Sequence, residues 1–440
     1  MVGHILKTDL LLFSIMGIVS AFLPSCKSAT EENPDADIAD ADAGGEKLSI
    51  CEEELAKWTR IWKVARQKSG LEDRTPANDL MDVWGKSADD LYAVGFSGTI
   101  LHFDGTSWKK MESGTTEDLM GVWGYKLEDQ ENNQTRTEVF AVGTKGTILR
   151  YDGKAWALMK VISDPDPDKP RPVVVVDNLH DVWGIKPAGM DPQRQHPTVI
   201  AVGAEGVIVR YEAEEDLFKE MRRRDEEKYF DDVEQVEKTR IAYNRFTSER
   251  LGGVFGVNPN RFVAVGNNGT ILQYNGTTWT KFTITGFVKH LNGVWGRSGG
   301  EVFAVGLDGT VVRGSIGGNW RTLNLNPKPP PVYLRSVWAF YQSKCGVPKE
   351  VPDAGSIPQD TSWVVFVGWD GALLLAHNGH VCELPDFPGT RLEGIWGIAP
   401  RSEAQRSDDA GNVTCDPVNV FVVGVNGAIY NLLDENERDL

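Results

Sequence analysis

Short apolar runs recur along this chain, each four or five residues long and bounded by glycine or Asp-Gly. The stretch from Leu119 to Trp156 shows the arrangement most fully. Leu119 to Trp123, Val139 to Val142, Thr147 to Tyr151 and Trp156 to Met159 are rich in valine, isoleucine and aromatic residues, the composition of strands. Gly143-Thr144-Lys145-Gly146 reads as a two-residue hairpin turn between glycines, because glycine tolerates the positive φ such turns need. Asp152-Gly153 marks the next hairpin.

The pattern repeats. A first-strand aromatic recurs as Trp84, Trp123, Trp183, Phe255, Trp295, Trp338 and Trp396, and a Val-Gly-x-x-Gly turn follows each one. Several spacings are about 40 residues, and a four-stranded unit with a period of about 40 to 50 predicts a propeller blade. The fold expected is therefore all-β, a seven-bladed β-propeller of four-stranded blades. The seventh unit stops after Ile429-Tyr430 without a fourth strand, and Trp62 to Gly70 resembles the fourth strand Trp108 to Gly114. The N-terminal strand is expected to complete the last blade and remove the open sheet edge.

The repeat, Val-Trp-Gly … Val-Phe-Ala-Val-Gly-x-x-Gly-Thr-Ile-x-x-Tyr-Asp-Gly-x-x-Trp, resembles repeats in envelope lipoproteins of myxobacteria and related bacteria. It is more distantly similar to the sialidase Asp-box repeat, whose tail is kept in Asp104-Gly105-Thr106-Ser107-Trp108, and to photosystem II stability factor propellers. The resemblance covers about residues 58 to 432. It implies a propeller and leaves the role open, since propellers serve many.

Four regions follow. Residues 1–25 read as an export signal, with Lys7 before an apolar run from Leu10 to Phe22 that is too short for an ordinary membrane-spanning helix. Leu23-Pro24-Ser25-Cys26 resembles a bacterial lipobox, with Cys26 as the lipidated residue. Residues 26–50 form an acidic Asp-Ala tract, too charged and too poor in apolar residues to build a core, and read as a flexible tether. The propeller takes 51–432, and 433–440 is a charged tail. Within the propeller, Tyr125–Glu138, Ile185–Pro197, Ala339–Ser362 and Ile398–Asn419 read as long loops on one face. Lys160–Asn178 and Arg222–Arg250 join blades on the other. Phe230, Val233 and Val236 suggest a short amphipathic helix in the last of these.

The formal charge of −17 over 440 residues argues against nucleic acid, which requires a basic footprint, and against an anionic membrane surface. Any membrane link is expected through the lipid alone. No His-x-x-x-His or Cys-x-x-Cys pattern appears, and Asp164-Pro165-Asp166-Pro167-Asp168 lacks the glycine and closing glutamate of a calcium loop, so no metal, cofactor or catalytic set is assigned. His180, Arg335 and Glu393 occupy matching first-strand positions and face the channel if the blades align. The residues following the first turn glycine include Phe96, Leu307, Trp369 and Val425, apolar side chains that a tight turn does not need. A contiguous arc of them reads as a partner-docking patch. The function expected is a non-catalytic binding or scaffolding module of the cell envelope, facing the periplasm or the cell surface. Its partner would be an envelope protein or a surface polysaccharide. A glycan-active enzyme with its site at the channel mouth is the alternative.

Beyond Cys26 the chain has four cysteines, an even number suited to disulfides in an exported protein. Cys345 and Cys382 belong to the same face of unit six. Cys415 lies in the first loop of unit seven and Cys51 just ahead of the strand proposed to complete it. The pairs expected are Cys345–Cys382 and Cys51–Cys415. Intact mass of the exported protein should rise on reduction, and an unchanged mass would exclude both pairs.

Overall fold

The computed structural model describes residues 78–129, 134–163, 173–186, 196–231, 236–296, 300–323, 332–341, 362–377, 380–383, 390–398, 406–407, 413–414 and 419–433. Seven antiparallel sheets form the blades of a β-propeller. Their innermost strands are Leu80–Ser87, Leu119–Asp129, Leu179–Ile185, Leu251–Asn258, Leu291–Gly296, Leu334–Tyr341 and Leu392–Ile398. Five blades have the four strands expected, blade three carries two more, and blade seven has three among the described residues. The segment proposed to complete it, Trp62 to Gly70, lies outside the described residues, as do Cys26, Cys51, Cys345, Cys415, the Cys382 side chain and Asp164–Asp168.

The Val-Trp-Gly motif explains how blades adhere. A Cβ on Gly184 would overlap the Trp123 ring of the preceding blade. A Cβ on Gly124 would sit 2.7 Å from Trp84, and one on Gly296 2.7 Å from Phe255. Gly397 stands in the same relation to Trp338. The glycine is thus the slot that receives the neighbouring blade's aromatic ring. The ring closes in a related way: Trp396 Nε1 of blade seven donates to Gly85 O of blade one (2.9 Å), and Asn426 N donates to Asp79 Oδ1 (2.8 Å). Leu80, Leu119, Leu179, Leu251, Leu291, Leu334 and Leu392, which open the inner strands, are all fully buried.

The hairpin turns are placed one residue later than the sequence suggests. The central residues are Lys145 (φ 53°) and Gly146 (φ 68°), not Thr144 and Lys145, and Thr147 N donates to Thr144 O (3.0 Å). Positive φ at both central positions is the type I′ geometry that matches strand twist. The first glycine is extended instead; a Cβ on Gly143 would overlap Asp118 O. Asp104, Asp152 and Asn275 cap the outer turns by accepting two backbone N–H bonds each.

Three connections differ from expectation. Tyr125–Glu138 is no simple loop: the first two strands of blade two run on to Asp129 and from Gln134. Tyr125 Oη donates to Glu138 Oε2 (2.7 Å), and Arg136 and Arg150 also hold this buried carboxylate. Lys160–Asn178 supplies Lys160–Ser163, which pairs in parallel with Leu217–Glu220 and adds a fifth strand to blade three; Val173–Val174 adds a sixth. Arg222–Arg250 is a β-hairpin, Arg223–Asp231 paired with Val236–Asn244, not a helix. Phe230 and Val236 lie on the two paired strands, and Val233 lies outside the described residues. The actual register sets Glu227 opposite Arg240 and Tyr229 opposite Lys238.

If the glycine slot governs blade adhesion, Gly184→Ala should destabilise the domain by ~1–3 kcal/mol through overpacking against Trp123. Adding Trp123→Leu should recover part of that loss in a denaturant double-mutant cycle. Additive losses would show that the two residues do not share the contact.

Candidate functional site

In every blade the register slips by one residue after the leading leucine. Such a bulge re-aims a side chain. The bulged residues are Met81, Met120, His180, Gly252, Asn292, Arg335 and Glu393. They sit at the end of the channel where the hairpin turns and blade connections lie, since Phe96 N donates to Asp79 O and Trp369 N to Tyr333 O. The bulged residue is therefore polar in blades three, five, six and seven, glycine in blade four and methionine in blades one and two.

Four of these groups bond from blade to blade. His180 Nδ1 lies 2.9 Å from Leu251 O. Asn292 Nδ2 donates to Leu334 O (2.8 Å), and Tyr333 Oη donates to Asn292 Oδ1 (3.1 Å). Arg335 Nε donates to Glu393 Oε2 (2.5 Å), and Trp369 Nε1 donates to Glu393 Oε1 (3.1 Å). The Trp369 ring stacks on Tyr333 with centroids 4.4 Å apart, and the Arg391 guanidinium lies 5.3 Å from the Trp369 ring. The Arg335–Glu393 pair is mostly buried, with side chains 16% and 4% exposed.

The expected channel residues His180, Arg335 and Glu393 thus do come together at one mouth. Of the docking arc, Trp369 alone reaches this network. Phe96, Leu307 and Val425 are half-buried on the turns of their own blades, separate from it. Each turn residue anchors through its backbone N–H to the connection ahead of its own blade, Phe96 to Asp79 O, Leu307 to His290 O and Val425 to Arg391 O.

The sequence reading missed three groups. Asp82 and Asp181 follow the bulge in blades one and three, where the other blades carry glycine or serine. Asp82 Oδ2 accepts from Val122 N (2.9 Å) and Asp181 Oδ2 from Val254 N (2.8 Å), so each carboxyl ties its blade to the next. Burial pushes the Asp82 carboxyl up to about 7. Burial, and then the charge of Asp82, raise Asp181 well above the carboxylate range. This departure from the repeat was visible in the sequence. Arg250 had no such signal. Its guanidinium lies over Gly252, whose added Cβ would be 3.1 Å from Arg250 Nη1; the missing side chain leaves the room. Burial, and then the Arg335 charge, lower the Arg250 value. Burial and the nearby Arg250 push His180 down to about 4, so this imidazole is neutral at neutral pH. The positive charge at the mouth comes from arginine.

Below the mouth the channel is plugged. The rings of Trp183 and Trp396, on blades three and seven, meet across it with centroids 6.0 Å apart. Trp84 and Phe255 extend the contact on either side. The mouth is a shallow basin over an aromatic floor. Among the described residues no cluster of three or more histidine, cysteine or acidic side chains is arranged to hold a metal, and no helix is long and apolar enough to cross a membrane.

No family model matches the chain, and no curated relative does. Among solved structures it is similar to the WD40 β-propeller domain of Doa1 (12% identity, TM-score 0.48, 83% of this chain and 95% of that one). It is also similar to YCF48 from Cyanidioschyzon merolae (13%, 0.49, 81% and 96%) and to YCF48 bound to D1 peptide (14%, 0.45, 82% and 92%). At these values the likenesses do not bear on what the chain does.

The aspartates of blades one and three give a pH signature. Asp82 binds a proton more tightly folded than unfolded, so its contribution to stability falls as pH rises from the ordinary value of 3.8 to about 7. Asp82→Gly, the residue four other blades carry here, should give a shallower fall in denaturant stability across that window. An unchanged slope would mean Asp82 is ionised in the fold.

Proposed function

We propose that this chain is an exported, lipid-anchored binding module of the bacterial cell envelope, and that its channel-mouth face docks another envelope protein. The export signal, Cys26 and the acidic tether support the address. The observation that supports the docking face is the stacked Trp369–Tyr333 pair beside Arg335 and Glu393: an aromatic platform on a rigid ring, held in place by hydrogen bonds. Aromatic and arginine side chains are the groups from which interface hot spots are made. The same geometry weighs against a glycan-cleaving enzyme. Such an enzyme needs two carboxyl groups about 5–9.5 Å apart with one free to move a proton. Glu393 instead spends both oxygens on Arg335 and Trp369, and Asp82 and Asp181 each accept two backbone amides.

The test is affinity capture from crosslinked, detergent-solubilised envelopes of the native organism. Wild type should recover a discrete protein that Trp369→Ala loses while keeping its melting temperature, and Cys26→Ser should leave the membrane fraction. Capture unaffected by Trp369→Ala would remove the docking face from the proposal. A soluble wild type would remove the anchor.

A further inference from the structure

The channel mouth contains an arginine without a carboxylate. Arg250 is half-buried, and among the described residues no acidic side chain pairs with it. Its electrostatic neighbours are another arginine, Arg335, and the Tyr333 hydroxyl. Arg335 already has its partner in Glu393. Partly burying an arginine beside a like charge costs free energy that folding alone does not return, and it is offset when an anion supplies the missing hydrogen bonds. The bulge of blade four is shaped for this: Gly252 projects no side chain, and the guanidinium of Arg250 occupies that space.

We infer that the mouth takes a single carboxylate from the docked protein, received by Arg250 between His180 and Tyr333. This rests on the docking role proposed above and names the chemistry of its anchor. The neutral His180 adds a polar ring without repelling charge. Met120, half-buried on blade two, receives the apolar part of the anchoring side chain, methionine being adaptable in such contacts.

Two features of charge define the rest of the partner. The whole chain carries −17, and of the carboxylates around the mouth Glu249 and Asp370 make no ion pair among the described residues, whereas Glu117, Asp177, Glu205 and Asp308 are paired with Lys145, Arg245 and Lys289. A repeating acidic polysaccharide places many like charges against that rim. A basic or neutral protein segment with one acidic side chain is attracted by the rim and anchored at the centre. The favoured ligand is therefore a lysine- or arginine-bearing peptide segment with a lone aspartate or glutamate.

A randomised peptide array, with each acidic position paired to its amide counterpart, would be probed with the full chain and with Arg250→Gln and Arg250→Lys. The best wild-type ligands should carry an acidic residue among basic ones and lose about tenfold in affinity on amide replacement, the scale of one charge-assisted hydrogen bond. Arg250→Gln should erase that discrimination and Arg250→Lys should restore part of it, with melting temperatures unchanged. Ligands indifferent to amide replacement, a preference that survives Arg250→Gln, or no peptide ligand at all would each overturn the inference. Binding of a uronic acid oligosaccharide in place of any peptide would overturn the protein source. A captured envelope protein that depends on Trp369 but not on Arg250 would overturn the carboxylate anchor while leaving the docking face intact.

Discussion

The fold depends on a ring seated in a glycine slot. A propeller has no continuous sheet from one blade to the next, so adjacent blades adhere through side-chain packing and a few hydrogen bonds. In this chain the packing is specified by one large aromatic and one missing Cβ, repeated from blade to blade: Trp84 on Gly124, Trp123 on Gly184, Phe255 on Gly296 and Trp338 on Gly397. Dispersion and burial supply the attraction, and the absent methyl sets the distance at which it acts. Trp183 and Trp396 do more than seal their own seams. Their rings meet across the channel and close it.

That division of labour leaves the neighbouring positions free to vary. Leucine, a β-branched residue, an aromatic and, in six blades, a glycine recur in the inner strands and make the ring, while the bulged residue between them varies. Methionine, histidine, glycine, asparagine, arginine and glutamate all occur at that position. The bulge turns them towards one mouth, over a floor of aromatic rings. A shallow basin of diverse side chains on a rigid base suits recognition, because the cost of ordering the site is met in folding.

The same repeat shows how electrostatics was accommodated. Placing Asp82 and Asp181 where glycine is the rule puts two half-buried carboxyls on the inner strands. Each bridges to the next blade's amide, and the cost appears as proton affinity rather than as a broken structure. Arg335 at the mouth lies close enough for its charge to be felt at Asp82.

Period and punctuation were enough to determine the class of fold, the number of blades and the boundaries of most strands. Alternating apolar runs, Asp-Gly and Asn-Gly turns, and a recurring aromatic are local signals tied to backbone chemistry. The position of His180, Arg335 and Glu393 on matching strands was legible for the same reason. Tertiary structure alone decided which residues meet. Nothing local announces that Arg250 folds over Gly252, that Tyr333 stacks on Trp369, or that Trp183 touches Trp396 from a blade on the far side. Phe230 and Val236 carried a helical spacing that strand pairing overrode, and Lys160–Ser163 joined a blade other than its own. A repeat encodes its unit in the sequence, whereas a site formed where several repeats converge depends on distances between residues far apart in the chain.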